Sequence, residues 1–332
     1  MKKMLLLLWL CFMAAGLSAQ SLHFRHGTFK IVQFSDLHYV DGNPASDAAT
    51  DCLRKVTQAE KPDLIIITGD IIYSKPGNVA LQKVLSVLSS LKVPFAMQFG
   101  NHDTEQRTSQ AALYDQMQRA PYSVMPNRQI TKRYDYVLPI FDEKMEKPEA
   151  LIYCLDSHRF TTMRDVRGYD WIRFSQIAWY REVSAKYKKI NSGRPLPALM
   201  FFHIPVPEYN LAIADKRWSR FGLNLERAYS PNLNSGLFCS VKEMGDVMGM
   251  FCGHDHDNDY SVLYYNVLLA HCRYSGGDTE YHHVKNGARV IVLKEGKREF
   301  DTWIREREGG VFYKTTFPSS YIKPDVDKET KY

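Results

Sequence analysis

The chain lacks the features that divide a polypeptide into separate modules. Its 332 residues contain no internal repeat, no low-complexity tract and no Pro-, Gly- or Ser-rich linker near the middle. With 45% hydrophobic and 13% aromatic residues, the chain has ample material for a packed core. We therefore expect a single domain over residues 20–318, followed by a polar and poorly ordered tail at 319–332.

Long hydrophobic runs are absent after the first twenty residues, so we expect no membrane span in the rest of the chain. The first residues combine basic Lys2 and Lys3, an apolar stretch from Met4 to Leu17, and a small-residue cleavage site ending at Ala19. This order is typical of a signal peptide at residues 1–19 and predicts a periplasmic or secreted protein. An N-terminal membrane anchor is the alternative, but the run is short for a span and lacks a charged stop.

Charge and cysteine content exclude further classes of protein. The net charge of +6 favours anionic ligands slightly, but the basic residues are scattered and form no nucleic-acid-binding stripe. Five cysteines remain after Cys11 leaves with the signal peptide, and they lack CxxC spacing. Buried thiols are therefore favoured at Cys154 and Cys252. A disulfide such as Cys239 with Cys272 would be allowed in an oxidising compartment, but the sequence does not establish it.

The sequence also gives little support for a hydrolase that uses a serine or cysteine nucleophile. The chain has no Gly-x-Ser-x-Gly elbow, which argues against a serine nucleophile. Cys252 follows an apolar run in which a thiolate is disfavoured. The polar residues that carry chemistry must therefore be sought elsewhere.

Polar clusters follow directly after apolar runs at five places in the chain. The runs at 29–34, 63–68, 93–99, 196–202 and 247–252 are typical of buried β-strands. The clusters after them are, in the same order, Ser35-Asp36-Leu37-His38, Gly69-Asp70, Gly100-Asn101-His102-Asp103, His203 and Gly253-His254-Asp255-His256. Helical patterns at 46–60 and 78–91 separate the first three strands, which predicts parallel strands with right-handed crossovers. We expect the first three clusters to meet at one edge of a sheet, where α/β folds bind ligands.

Each cluster has a plainer interpretation when it is taken alone. Asp36 could cap a turn beside a surface His38, Asp70 could be an N-cap or turn residue, and His203 could be a core histidine. Because all of these residues follow strands, we interpret them as metal ligands instead. Mixed Asp, Asn and His ligation without thiolate suits Mn, Fe, Zn or Co. Seven such ligands suit two ions, which a carboxylate can bridge: Asp36, His38, Asp70, Asn101, His203, His254 and His256.

The same series resembles a known family. In order and spacing, over about residues 30–260, it is similar to the calcineurin-like metallophosphoesterase superfamily. Flanking stretches such as Gly168-Tyr169-Asp170-Trp171 resemble a branch near the purple acid phosphatases. The resemblance implies an α/β fold (α+β by some schemes), a four-layer α/β/β/α sandwich with two mixed β-sheets flanked by helices. It also implies a phosphoric ester hydrolase that cleaves phosphomonoesters or phosphodiesters by attack of a metal-bound hydroxide.

The resemblance further implies a role for each matching residue. The metal ligands would be Asp36, His38 and His256 for one ion, Asn101, His203 and His254 for the other, and Asp70 as the bridge. His102 would face the leaving-group oxygen as general acid or transition-state stabiliser, and Asp103 would orient His102 through a hydrogen bond. The cofactors would be two divalent or trivalent ions, of which Mn, Fe and Zn are favoured.

Tyr73 needs a separate interpretation. Gly69-Asp70-Ile71-Ile72-Tyr73 resembles the Gly-Asp-x-x-Tyr motif of the purple acid phosphatases, in which the tyrosine binds ferric iron. In those enzymes the first motif lacks its histidine, whereas this sequence keeps His38. We therefore expect Tyr73 to pack beside the ligands rather than to bind a metal.

Substrate specificity is assigned to loops. Residues 208–238 are irregular and aromatic, which predicts a loop insertion over the site, and 104–130 and 156–170 are the other candidate loops. Aromatic residues of the insertion could stack against a substrate or pack the loop down: Tyr209, Trp218, Phe221 and Tyr229. The expected partner is a small-molecule phosphate ester. A catalytically silent phosphate-ligand-binding protein that keeps the same fold is the alternative.

Overall fold

A computed structural model describes residues 21–322 of the chain. The signal peptide predicted at 1–19 lies outside the described residues. The described strands are β1 Thr28–Phe34, β2 Leu64–Thr68, β3 Phe95–Gln98, β4 Tyr136–Phe141, β5 Pro148–Cys154, β6 Ala198–Phe201, β7 Arg220–Phe221, β8 Val247–Cys252, β9 Ser261–Tyr264, β10 Val267–His271, β11 Gly287–Lys294, β12 Phe300–Glu306 and β13 Val311–Phe317. The described helices are α1 Asp47–Glu60, α2 Gly77–Leu91, α3 Gln110–Arg119, α4 Arg128–Thr131, α5 Phe174–Ile190, α6 Glu208–Ala214 and α7 Leu237–Met244.

Two mixed sheets form the centre of the molecule. The six-stranded sheet has the order β13-β12-β11-β1-β2-β3, and the seven-stranded sheet has the order β4-β5-β6-β8-β10-β9-β7. In the first sheet β1, β2 and β3 run parallel, and in the second β5, β6, β8 and β10 run parallel. The predicted crossovers are confirmed, because α1 connects β1 to β2 and α2 connects β2 to β3.

Alternation along the strands separates two hydrophobic layers. In β5, Ile152 and Cys154 join the core that also contains residues of β1, β2 and helices α1 to α3, whereas Leu151 and Tyr153 join a second core. The second core is closed by side chains of α5, α6 and α7. This period of two is the pattern of a strand with one face toward each layer. The predicted arrangement of two mixed sheets flanked by helices is confirmed.

Several local expectations are corrected. The candidate loop at 104–130 is not only loop, since α3 begins at Gln110 after a 3₁₀ turn at residues 103–105, and the Ser109 hydroxyl caps α3 by accepting the Ala112 N–H at 3.3 Å. The insertion at 208–238 is not only loop, since it contains α6, β7 and the start of α7. Strand β13 was not anticipated from the sequence. No helix within 21–322 is long and apolar enough to cross a bilayer.

The predicted tail contains a buried residue. Tyr321 is only 2% exposed, and its hydroxyl lies 2.7 Å from Ser261 Oγ and 2.8 Å from Thr315 Oγ1. Its ring meets the Phe221 ring edge-on at a centroid distance of 5.2 Å. The packed chain therefore extends at least two residues past Ser319, where the tail was expected to begin.

Replacement of this anchor tests its contribution to stability. We predict that Tyr321→Ala lowers the free energy of unfolding by about 3–5 kcal/mol, because it removes a buried aromatic ring and two hydrogen bonds. Urea denaturation followed by circular dichroism measures the change. The neighbouring Ile322 is 53% exposed, so Ile322→Ala is the control and should change the free energy by less than about 0.5 kcal/mol. Equal effects of the two substitutions would contradict an anchoring role for Tyr321.

Candidate metal centre

The candidate ligands converge where parallel strands of both sheets end. Two groups form, one of Asp36, His38 and His256 and the other of Asp70, His203 and His254. Within each group, one candidate ligand atom from each residue lies within 4.8 Å of the others, and all six residues are buried. Each group combines residues that follow strands of the first sheet with residues that follow β6 or β8 of the second.

Glycines allow the ends of the strands to approach each other closely. A Cβ atom on Gly100 would lie 2.1 Å from Asp70 Oδ1, and one on Gly253 would lie 1.7 Å from Ser35 Oγ. Both distances are far shorter than any van der Waals contact, so no other residue fits at either position without displacing the neighbouring turn. The glycine that begins three of the five polar clusters therefore has a steric cause at Gly100 and Gly253.

The backbone at four candidate ligands adopts a left-handed conformation that side chains other than glycine rarely take. The φ angles are +57° at Asp36, +41° at His38, +49° at Asp70 and +78° at His254. Such residues cost conformational free energy and are found where the surrounding structure holds them for a function. The sharp turns direct these side chains into the space between the sheets.

Hydrogen bonds fix which nitrogen of two imidazoles is available. His203 Nδ1 lies 2.7 Å from the Thr68 carbonyl oxygen, and His256 Nδ1 lies 2.7 Å from the Tyr281 carbonyl oxygen. Since a carbonyl oxygen can only accept, both Nδ1 atoms donate, and both Nε2 atoms of the neutral rings carry a lone pair. A backbone partner at the second nitrogen is the usual support of a metal-binding histidine.

The free lone pairs point at one another. His203 Nε2 lies 3.1 Å from Asp70 Oδ2, 3.1 Å from Asn101 Oδ1 and 3.3 Å from His254 Nδ1. On the other side, His256 Nε2 lies 3.1 Å from His38 Nε2. Lone pairs this close to one another repel unless a cation lies between them. These oxygen and nitrogen atoms therefore suit metal ions. Asn101, which the sequence predicted as a ligand, thus lies with the second group.

Asp70 faces both groups. Its Oδ2 atom lies 3.1 Å from His203 Nε2 and 3.7 Å from His38 Nε2. Its other oxygen, Oδ1, accepts the backbone N–H of His102 at 2.8 Å. This position between the groups is the one required of a bridging carboxylate.

The electrostatics of the site favour neutral imidazoles at His38 and His254 and a charged carboxylate at Asp70 beside His203. Burial lowers the pKa of His38 well below its usual value and lowers the pKa of His254 to about 4. Burial would raise the pKa of Asp70, but the neighbouring His203 outweighs it and holds that pKa well below its usual range. For His203, burial lowers the pKa while Asp70 and Asp36 raise it more, to about 10. The Asp70 carboxylate therefore attracts positive charge at this point, whether a proton or a metal ion.

The partner predicted for His102 is wrong. Asp103 does not orient the imidazole, because its Oδ1 accepts the backbone N–H groups of Ile71 and Ile72 at 2.8 and 3.0 Å, and its Oδ2 accepts that of Gly100 at 2.8 Å. Asp103 thus ties the loop after β3 to the loop after β2. It is fully buried, and burial, followed by the nearby Asp70, raises its pKa to about 7.

Glu105 takes the place that was assigned to Asp103. His102 Nδ1 lies 2.9 Å from Glu105 Oε2, and Arg159 Nη2 lies 3.0 Å from Glu105 Oε1. The spacing of three residues, which places side chains on the same side of a helical turn, was the available sequence signal. Arg159 lies in a loop that is far from Glu105 in the sequence, so no local pattern indicated this contact.

Tyr73 packs against histidines of the site, as the sequence predicted. Its ring meets His38 and His102 edge-on, with centroid distances of 5.6 and 5.1 Å, and the residue is 37% exposed. The contacts are those of an aromatic side chain at the rim.

A cleft of about 400 Å³ opens onto the two groups. Its lining combines four of the candidate ligands (His38, Asp70, His254 and His256) and His102 with side chains from three separate loops. Those additional side chains are Tyr169, Glu226, Tyr229, Glu280 and Tyr281. The predicted loops 156–170 and 208–238 therefore contribute, whereas the 279–283 loop was missed because its composition gives no sign of its position.

Most of the aromatic residues proposed for substrate contact do not line the cleft. Tyr209 is fully buried, and its hydroxyl donates to the Met250 carbonyl at 2.7 Å. Trp218 packs against Tyr264, and Phe221 packs against Tyr321. Of the four predicted residues, Tyr229 alone is among the lining side chains.

Comparison with known proteins places this site in a family. The model for calcineurin-like phosphoesterases matches residues 29–258 of the chain, which therefore belongs to that family. Its curated relatives include the "Probable inactive purple acid phosphatase 29" of Arabidopsis thaliana, 30% identical over 84% of this chain and 80% of the relative. "Phosphatase DCR2" of Saccharomyces cerevisiae is 32% identical over 71% of this chain, although only 45% of that protein is covered.

A solved structure supports the same fold. A "dimetal phosphatase" from Danio rerio superposes with a TM-score of 0.60 at 15% identity, over 87% of this chain and 98% of that one. At this identity the likeness concerns the fold. The family is dimetal-dependent, and the two groups of candidate ligands described above suit two ions.

The close approach of glycine backbones leads to a prediction. We expect Gly253→Ala to reduce the uptake of metal per chain, because its Cβ would displace the turn that carries His254 and His256 from the end of β1. Mass spectrometry of the purified variant measures metal content, and circular dichroism reports on the fold. Gly245→Ala is the control and should keep its metal, since Gly245 has a positive φ of +72°, which strains an alanine, but has nothing within 4 Å of the added Cβ. Full metal content in Gly253→Ala would contradict the steric argument.

Proposed function

We propose that this protein hydrolyses phosphomonoesters or phosphodiesters at a pair of metal ions. The convergence of two groups of candidate ligands around Asp70, with His102 at the opening of the same cleft, carries the proposal. Asp36, His38 and His256 would hold one ion, Asn101, His203 and His254 the other, and Asp70 would bridge them. The mixture of oxygen and nitrogen donors without thiolate favours Mn, Fe or Zn.

Each residue at the site then has its own role in the reaction. When bound, the ions supply Lewis-acid chemistry that lowers the pKa of water and neutralises charge on phosphoryl oxygens. Asp70 places His102 relative to the ligands, because Asp70 Oδ1 accepts the His102 backbone N–H. His102 Nδ1 donates to Glu105. When the ring is doubly protonated, Nε2 also carries a proton, which it would transfer to the departing oxygen of the ester, and the ring would be left neutral.

Glu105 acts on the reaction through His102. Its carboxylate fixes the ring orientation by accepting from Nδ1, as an acidic partner does for a general acid. The ion pair with Arg159 holds the glutamate in place. We assign Glu105 as a positioning residue and Asp103 as a residue that stabilises the loops.

A catalytically silent protein that binds a phosphate ligand is the second candidate. The word "inactive" in the name of the Arabidopsis thaliana relative favours it. Retention of all seven candidate ligands and of His102 in this sequence favours hydrolysis. The two candidates differ in turnover but not in metal binding.

Metal content and hydrolysis of one preparation test the proposal. We expect about two ions per chain by mass spectrometry and turnover of p-nitrophenyl phosphate or bis-p-nitrophenyl phosphate with added Mn, Fe or Zn. Asp70→Asn should lower both quantities, because it weakens the charge between the two groups. Asp51→Asn is the control, since Asp51 pairs with Lys55 on α1 at 2.9 Å. Two bound ions without turnover of either ester would support the silent protein, and a folded protein that binds no metal would contradict both candidates.

The corrected partner of His102 leads to a prediction with two variants. Glu105→Gln should lower kcat on an alkyl phosphate by about 10- to 100-fold, within the usual range for general-acid catalysis, and should affect p-nitrophenyl phosphate less because its leaving group needs little protonation. Asp103→Asn should instead lower the free energy of unfolding by about 1–3 kcal/mol, because an amide NH₂ would face a backbone N–H. Steady-state kinetics and urea denaturation separate the two effects. A larger leaving-group dependence in Asp103→Asn than in Glu105→Gln would reverse the assignment.

We also propose that the protein is exported to the periplasm or secreted. The basic, apolar and small-residue segments of residues 1–19 support this proposal. Intact-mass measurement of the protein from its native host should give a chain that begins at Gln20. A cytoplasmic chain that retains Lys2 and Lys3 would contradict it.

A further inference from the structure

The part of the cleft lining that lies outside the candidate ligands and His102 carries negative charge. This inference rests on the proposed function and concerns the class of ester that the cleft accepts. Within the described part of the chain, no lysine or arginine lines the cleft, although the whole chain has a net charge of +6. The outer wall consists of three tyrosines and two glutamates: Tyr169, Tyr229, Tyr281, Glu226 and Glu280.

This wall disfavours a substrate with a second anionic group. Enzymes that bind several phosphates or carboxylates provide arginine or lysine for each of them. Here the only charged side chains on the wall are acidic. Nucleoside diphosphates, sugar bisphosphates and phosphorylated carboxylates would therefore meet repulsion outside the metal centre.

Tyrosine rings flank both groups of candidate ligands. The Tyr281 ring stacks on His256 with a centroid distance of 4.5 Å and an interplanar angle of 24°. The Tyr169 ring meets His254 at 4.6 Å, and Phe160 stacks behind Tyr169 at 5.0 Å. Tyr281 and Tyr229 are 49% and 52% exposed, so their rings are accessible to a ligand. The faces of such rings carry negative charge density and attract cations.

Glu226 is held beside this aromatic wall, and no lysine or arginine within residues 21–322 lies at hydrogen-bonding distance from its carboxylate. Its Oε1 accepts the Asp257 backbone N–H at 2.8 Å, and its Oε2 accepts the Tyr281 hydroxyl at 3.1 Å. Both partners are neutral, so they fix the carboxylate in position without neutralising its charge. That charge also acts on His283, whose pKa is raised chiefly by Asp257 and further by Glu226. Burial, together with the charges of Asp255 and Asp257, raises the pKa of Glu226, which is the expected result where negative charges accumulate.

We propose that the substrate is a phosphate ester whose alcohol carries a positively charged ammonium group. The phosphate would lie at the metal centre, and the ammonium group would lie against Tyr281, Tyr229 and Glu226. Aromatic faces combined with a carboxylate are the established chemistry for recognising alkylammonium groups. A wall with tyrosine and glutamate but without lysine or arginine suits a positive charge and disfavours a negative one.

A pair of substrates of the same shape isolates the contribution of the charge. Phosphocholine and 3,3-dimethylbutyl phosphate differ only in the replacement of the quaternary nitrogen by carbon. We expect phosphocholine to bind the metal-loaded protein about tenfold more tightly by isothermal titration calorimetry, which corresponds to a cation–π contribution of about 1.4 kcal/mol. The ratio of kcat/KM for the two esters should show the same preference.

Variants of the wall test which residues produce the preference. Glu226→Gln and Tyr281→Leu should each bring the ratio of the two affinities closer to one, because the first removes the charge and the second removes the ring. Glu182→Gln is the matched control, since Glu182 is exposed on α5, away from the lining of the cleft. The control should keep the tenfold ratio. An unchanged ratio in both wall variants would overturn the proposal.

The outcomes separate this inference from the proposed hydrolysis. Equal affinity for the two esters, with p-nitrophenyl phosphate hydrolysed, would overturn the ammonium proposal and leave the hydrolase standing. A tenfold preference in binding without turnover of any ester would support the ammonium proposal and refute hydrolysis. Tighter binding of ADP or 3-phosphoglycerate than of phosphocholine would also overturn the proposal. Preference for lysophosphatidylcholine over phosphocholine would support it and identify a lipid headgroup as the source of the ammonium ester.

Discussion

The hydrogen bond from His203 Nδ1 to the Thr68 carbonyl joins the two sheets at the point on which the site depends. Thr68 ends β2 in one sheet, and His203 follows β6 in the other. The bond spans the interface between the sheets and also directs the lone pair of His203 Nε2 toward Asp70 and Asn101. One contact thus sets both the spacing of the layers at this edge and the donor atom available there.

Much of the fold and of this site could be predicted because the relevant information is local in the sequence. Apolar runs mark buried strands, helical patterns between the first three require parallel pairing, and glycine before a polar cluster marks a sharp turn at a strand end. These features place Asp36, His38, Asp70, Asn101 and His102 at one edge, and the structure brings them together there. The second sheet follows the same rule for His203, His254 and His256.

The features that could not be predicted depend on contacts through space. A neighbouring carboxylate suggested Asp103 as the partner of His102, but the 3₁₀ turn at 103–105 directs Asp103 to three backbone N–H groups and brings Glu105 to the imidazole. Composition could not distinguish the buried Tyr209 from the exposed Tyr229, since both lie in the same aromatic stretch. Likewise, nothing in its surrounding sequence distinguishes Tyr321 as an anchor.

The division of each ligand group between the two sheets couples metal binding to folding of the whole sandwich. Neither sheet alone carries a complete group, because Asp36 and His38 follow a strand of one sheet and His256 follows a strand of the other. An ion that binds only the docked sheets would stabilise the native state by about 2.7 kcal/mol at a free concentration one hundred times its Kd. Loss of the ions would therefore loosen the interface between the layers before it affected either sheet, and resistance to proteolysis would follow metal supply.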